Sequence, residues 1–365
     1  MEARLNANQI GGKLVNQAQY KLTTIRARQS SRRASCIGVI IVGMTLHMAL
    51  IPAFAEPLSG KVKVDGSSTV APITMAAAEM FRSEQPKVQV TVGISGTGGG
   101  FKKFLDPKPD LRTDISDASR PIKESEMKQA SELGIEFIEI PIAIDGLAVV
   151  VHPSNKFCNH LTVAELKKIW EPGSAIHNWS EVRPGFPDLP IKLYGPGTDS
   201  GTFDYFTEAI VGKEDASRSD FTASESDNVL VQGVAGDPGS LGYFGFSYFE
   251  ANKDKLRLVP IDNNNGQPVL PTVDVIRAGK YKPLARPLFL YVNKTAYQRP
   301  EVRAFVEYIL QNAQKLVEHP RVNYVALPPE LYTLAKERVT NGKTGSAMAK
   351  AGDVKDNLVE VFRKH

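Results

Sequence analysis

Asp65-Gly66-Ser67-Ser68-Thr69-Val70, Ser95-Gly96-Thr97-Gly98-Gly99-Gly100 and Gly197-Thr198-Asp199-Ser200-Gly201-Thr202 repeat one arrangement in one chain. Each is a Gly/Ser/Thr turn between a β signal and a helix signal. Such turns present free backbone N–H groups at the positive end of a helix dipole. Ser and Thr hydroxyls add donors, and glycine lets the backbone approach a ligand closely. Ser and Thr are also ordinary helix caps, so one such turn says little. Three together describe a pocket for a small anion built mainly from neutral donors.

Around these turns, strand and helix signals alternate. Val62 and Val64 alternate before the first turn. Ala71-Pro72 then opens an amphipathic helix carrying Ile73, Ala77, Met80 and Phe81. Val88, Val90 and Val92 alternate again, and the turn from Ser95 to Gly100 leads to a short helix with Phe101, Phe104 and Leu105. Ile115 marks a third strand, 123–133 reads as a helix, and 135–151 as strand broken at Pro141 and at Asp145-Gly146. The pattern then restarts. Thr162-x-x-Glu165 is a capping box for a helix through Trp170. Ile191–Tyr194 reads as a strand, Gly195–Thr202 as a loop, Phe203–Val211 as a helix and Leu241–Phe249 as strand-rich. Pro287–Val292 is an apolar strand, a helix follows Pro300, and the tail after Asn341 is weakly patterned and expected to fray. Two runs of alternating β and α elements predict an α/β fold of two lobes, with mixed, mostly parallel sheets and helices on both faces. Ligands of such folds sit beyond the carboxyl ends of the strands.

The N-terminus is of another kind. Seven Lys/Arg and one acid occupy residues 1–35, an apolar run extends from Cys36 to Phe54, and Ala53-Phe54-Ala55 is a small-x-small cleavage pattern. This order reads as an export signal, residues 1–55, cleaved after Ala55; the alternative is an uncleaved anchor. Without it the chain carries 37 basic and 39 acidic residues, so the basic charge belongs to the leader and a nucleic-acid partner has no electrostatic basis. Cys158 is then the single cysteine and reads as a structural thiol. The six histidines are scattered, and no metal-ligand cluster is visible.

Two charged residues join the candidate site. Arg120, beside Ser119 in a loop after the third strand, can hold two anion oxygens at once. Asp145, after an apolar strand, reads either as a buried acceptor or as a turn residue.

The motifs Asp65–Val70, Ser95–Phe101, Ala118-Ser-Arg-Pro121 and Gly197–Phe203, with Asn228–Gly233 and Gly242–Gly245, resemble the signatures of periplasmic phosphate-binding proteins of ABC importers. The resemblance keeps family order from about residue 60 to about 340. It implies a type II-like periplasmic-binding-protein fold, with hinge strands joining two lobes around a dehydrated phosphate. It also implies a periplasmic location, a permease partner, a monomer, and no cofactor or metal. Carried over, Ser68, Thr69 and the Val70 backbone match the first contact turn, Ser95 and Thr97 the second, and Ser200, Gly201 and Thr202 the third. The best-known members have an arginine shortly before the last turn, where this chain has Gly195-Pro196-Gly197. They also have an aspartate at the position of Arg120, which accepts a hydrogen bond from a protonated phosphate oxygen. The resemblance therefore suggests that Arg120 replaces the missing arginine and that Asp145 supplies the acceptor. Asp145–Pro153 and Leu284–Val292 are the expected crossing strands. They divide the chain into 56–150 plus 286–365 as one lobe and 151–285 as the other.

Three other functions are open to the same residues: a secreted phosphatase, an oxyanion sensor or scavenger without a transporter, and capture of sulfate or molybdate. Gly197–Thr202 is not a Gly-x-Ser-x-Gly elbow and Ser200 has no evident base, which speaks against the phosphatase.

Overall fold

A computed structural model describes residues 58–198, 200–350 and 357–365. The export signal and its cleavage point lie outside the described residues. No helix among them is long and apolar enough to cross a membrane.

The first lobe pattern forms as the sequence dictates. Strand β1 (Gly60–Gly66) lies between β2 (Val88–Ile94) and β3 (Ile115–Ala118), parallel to both. Helix α1 (Ala71–Glu84) carries Pro72 in its first turn, and buries Ile73, Ala77 and Phe81 at fourfold spacing. Strand β4 (Phe137–Val151) has all 15 residues buried. It is one continuous strand, not the broken one expected. Pro141 cannot donate to a ladder, and a bulge opposite Leu288/Phe289 absorbs it. At Asp145-Gly146 the strand changes neighbours instead of breaking. Its first part pairs with β11 (Ala285–Asn293), antiparallel through Gly146, and its second part with β8 (Ser240–Gly245) from Leu147 onward.

The complete sheet order is β2-β1-β3-β11-β4-β8-β6-β7, with β6 at Lys192–Gly195 and β7 at Thr222–Ala223. Strands β9 (Arg257–Leu258) and β12 (Val325–Ala326) also pair with β4, and β5 (Leu161–Thr162) pairs with β10 (Ile261–Asp262) apart from this sheet. Each flank is parallel, as β-α alternation requires. The antiparallel pairings all involve β4 or β11.

Three helix boundaries differ from expectation. The Gly-rich segment is already helical: α2 spans Gly96–Phe104. Of its glycines, Gly100 is needed for packing, since a Cβ there would lie 2.5 Å from the Gly66 Cα. The helix Gly201–Phe206 starts two residues earlier than expected, with Ser200 Oγ accepting from the Thr202 N–H, and widens to a π turn over Thr207–Val211. Phe246–Ala251 is helical, which puts Phe246 and Phe249 one turn apart on a buried face. The expected capping box at Thr162 is formed, and opens α4 (Val163–Trp170); Glu124–Glu132 forms α3. Cys158 is buried, and burial pushes its thiol up to about 12, which suits an inert packing residue.

The described parts of the C-terminal tail, 342–350 and 357–365, dock rather than fray. Fully buried Glu139 on β4 accepts hydrogen bonds from Tyr291 Oη, Ser346 Oγ and the Ala347 and Met348 N–H groups. Arg338 donates to the carbonyls of Gly345 and His365. Glu139→Ala strands four buried donors. It is expected to lower unfolding free energy by about 3 kcal/mol, read as a lower urea midpoint.

Candidate anion-binding site

Two of the three turns line one cleft, and the third touches the first without lining it. A cleft of about 320 Å³ is lined by Ser67, Ser68 and Thr69 after β1, by Ser95 to Gly99 at the start of α2, and by Ser119 and Arg120 after β3. Asp204, Glu208 and Glu214 close it from the segment that follows the third turn, and Arg286 reaches it from β11. Lys102 and Lys123 also line it. One wall thus carries Lys102, Arg120 and Lys123, and the other Asp204, Glu208 and Glu214, so the two walls have opposite charge.

The walls touch. Thr69 Oγ1 donates to the Gly201 carbonyl at 3.3 Å, and Ser68 Oγ donates to Asp204 Oδ2 at 2.9 Å. A Cβ on Gly201 would stand 2.5 Å from Thr69 Oγ1 and 2.7 Å from the Thr69 nitrogen. Only glycine permits this approach.

Within the first turn, the Val70 N–H donates to the Ser67 carbonyl at 3.2 Å, and Val70 itself is buried. The Thr69 N–H donates to Ser67 Oγ at 3.2 Å. In the second turn, Ser95 Oγ donates to Asp65, which also pairs with Lys103 at 2.6 Å. Thr97 Oγ1 accepts from the Ser119 N–H at 3.1 Å and stands 3.0 Å from Ser119 Oγ. Ser200 and Thr202 cap the third turn, and neither lines the cleft.

Two charged residues occupy places that local sequence does not reveal. Arg120 lines the cleft, but its guanidinium forms a fork on Glu126, at 2.9 and 2.8 Å, and lies over the Phe101 ring. Asp145 does not line the cleft. Fully buried on β4, it stands directly opposite Arg286 on β11, with an ion-pair distance of 3.5 Å. Burial pushes its carboxyl up to about 6, against the pull of Arg286.

Arg286 is the residue the sequence reading missed. Its Nη2 donates to Thr69 Oγ1 at 3.0 Å, and its guanidinium lies 3.7 Å from the centroid of the Tyr205 ring. Glu208 is 3.8 Å from Nη1. Tyr205 is fixed in turn by donating to the Pro283 carbonyl at 2.6 Å. One guanidinium therefore touches both walls and the floor. The available signal was one acid, Asp145, and one cation, Arg286, each within a largely apolar strand.

Asp204 was also missed. Burial, with Glu214 and Asp215 nearby, pushes its carboxyl up to about 6 despite the Ser68 hydrogen bond. Burial and nearby acids raise Glu214 as well. Among the described residues no cluster of three or more His, Cys, Asp or Glu side chains is arranged to hold a metal. The chemistry present is donation to an anion, by hydroxyls, helix N–H groups and a guanidinium.

This is the site of a two-lobed α/β binding protein, and comparison with known proteins agrees. A family model described as a PBP superfamily domain matches residues 52–313. SphX of Synechococcus elongatus is 49% identical over 290 residues, covering 79% of this chain and 84% of that protein. The phosphate-binding protein PstS of Staphylococcus saprophyticus is 39% identical over 275 residues, 75% and 82% of the two chains. The crystal structure of a possible phosphate binding protein from Planctomyces limnophilus matches with a TM-score of 0.74 at 46% identity, covering 78% of this chain and 99% of that one. The chain belongs to the PBP superfamily, in the family of SphX and the PstS phosphate-binding proteins.

Proposed function

We propose that this chain captures inorganic phosphate outside the cytoplasm and delivers it to the permease of an ABC importer, without chemistry on the anion. The observation that carries this reading is Arg286, held between Thr69, Tyr205 and Asp145 at the floor of a hydroxyl-rich cleft. A guanidinium fixed in this way presents a planar fork to a tetrahedral oxyanion. The names of the relatives support phosphate as that anion.

The lobes in this reading are 56–150 with 286–365, and 151–285. The change of partners along β4 supports a hinge near that boundary. The anion bridges Thr69 and its neighbours on one lobe to the opposite wall, so binding favours the closed form. The closed monomer then docks on the permease. Residues 1–55 direct export and are removed after Ala55.

A phosphatase reading has less support, because no described residue pairs Ser200 with a base. Phosphate at 1 mM should raise the melting temperature by several degrees and reduce the radius of gyration of the chain lacking residues 1–55. A melting curve and scattering profile indifferent to phosphate would reject the proposal.

A further inference from the structure

Ser95 lines the cleft, but its side chain is turned away from the part its position assigns to it. It stands at the N-cap of α2, where a serine hydroxyl ordinarily accepts from the N–H groups two or three residues on. Here it caps nothing. Its backbone lies at φ −134°, ψ 18°, outside the extended form of a capping residue, and its Oγ donates to Asp65, near the end of β1. The first N–H groups of α2, at Gly96, Thr97 and Gly98, have no acceptor within the helix. These three residues line the cleft.

The surroundings of Asp65 fit it to hold that hydroxyl. It is buried, and Lys103, in the last turn of α2, donates to its second oxygen at 2.6 Å. The two charges cancel behind a site for an anion. A Cβ on Gly93, which faces Asp65 from β2, would overlap Asp65 Oδ2, so the neighbouring strand leaves the carboxylate its room. Asp65 does not line the cleft, so its part in binding passes through Ser95.

We propose that Asp65 is a positioning residue of the anion site: it holds Ser95 off the start of α2, so that the Thr97 and Gly98 N–H groups stay free for the ligand. The inference rests on the phosphate reading above. A helix already capped by its own serine has fewer donors to give. Each N–H kept free can donate to a charged acceptor, which is the stronger kind of hydrogen bond. Helix α2 forgoes a cap, and the site gains donors.

The test is calorimetric titration with inorganic phosphate of the purified native protein, of Asp65→Ala and of the double variant Asp65→Ala/Ser95→Ala. In Asp65→Ala the serine is free to relax into an ordinary cap, and phosphate binding should weaken by roughly thirtyfold. Removing that serine as well should recover about tenfold of the loss. A purely structural role predicts the reverse, since two lesions in one turn do not repair each other. A double variant that binds no better than Asp65→Ala overturns the inference while phosphate capture stands, as does Asp65→Ala that binds like the native protein. A native protein that binds no phosphate removes the phosphate reading itself, and the inference with it. Should Asp65→Ala not fold, amide hydrogen exchange in the native protein decides. The Thr97 and Gly98 amides should exchange freely without phosphate and about tenfold more slowly with it. Equal protection in the two states refutes the role of Asp65.

Discussion

Arg286→Ala should weaken phosphate binding by about a thousandfold, or about 4 kcal/mol. The variant removes the group that contacts Thr69, the Tyr205 ring and Asp145 together. It also leaves Asp145, fully buried, with no counter-charge beneath a site for an anion. Both effects act in the same direction. Arg286→Lys retains the charge but loses the planar fork and the stacking on Tyr205, so it should recover only part of the loss. An arginine deleted from a solvated surface would cost little, so an effect below threefold would place Arg286 outside the site. Titration calorimetry on the two variants, with unfolding curves as controls, separates binding from folding.

Gly201→Ala should weaken phosphate about 30-fold by a different route. The added methyl would stand 2.5 Å from Thr69 Oγ1, and 2.9 Å from the Thr69 Cα, across the contact between walls. Overpacking of this kind costs about 2 kcal/mol. In the proposed lobe closure, that cost falls on the closed form. Gly201 is the first residue of its helix, where alanine is a better helix former than glycine. Local stability should therefore be unchanged or slightly higher. Scattering should show a variant that stays expanded at phosphate concentrations that compact the native protein. A variant that binds and compacts normally would mean the walls have room to shift.

Part of the cleft lining was legible because turn chemistry is local. Ser68, Thr69, Ser95 and Thr97 share a cleft, as the Gly/Ser/Thr turns suggested, but Ser200 and Thr202 of the third turn do not line it. The charges were not legible, because each depends on a partner distant in sequence. Arg120 has its guanidinium on Glu126, and Asp145 faces Arg286 across two strands. Pairing between β4 and β11 is a tertiary fact that strand signals alone do not supply. Asp204 escaped notice inside a helix, one turn beyond Ser200, where an acid reads as ordinary dipole compensation. The fold shows the same division. Alternation of β and α elements indicated the parallel flanks. The long unbroken β4 was hidden by Pro141 and Asp145-Gly146, which read as breaks but mark a bulge and a change of partner. The docked tail escaped because it is held by Glu139, a single acid buried on a distant strand.

The most direct test of the account is calorimetric titration of the native chain, lacking residues 1–55, with inorganic phosphate at neutral pH. The account predicts saturable binding of one phosphate per chain, abolished in the same concentration range by Arg286→Ala. No heat of binding in the native chain, or equal binding in the two proteins, would contradict it.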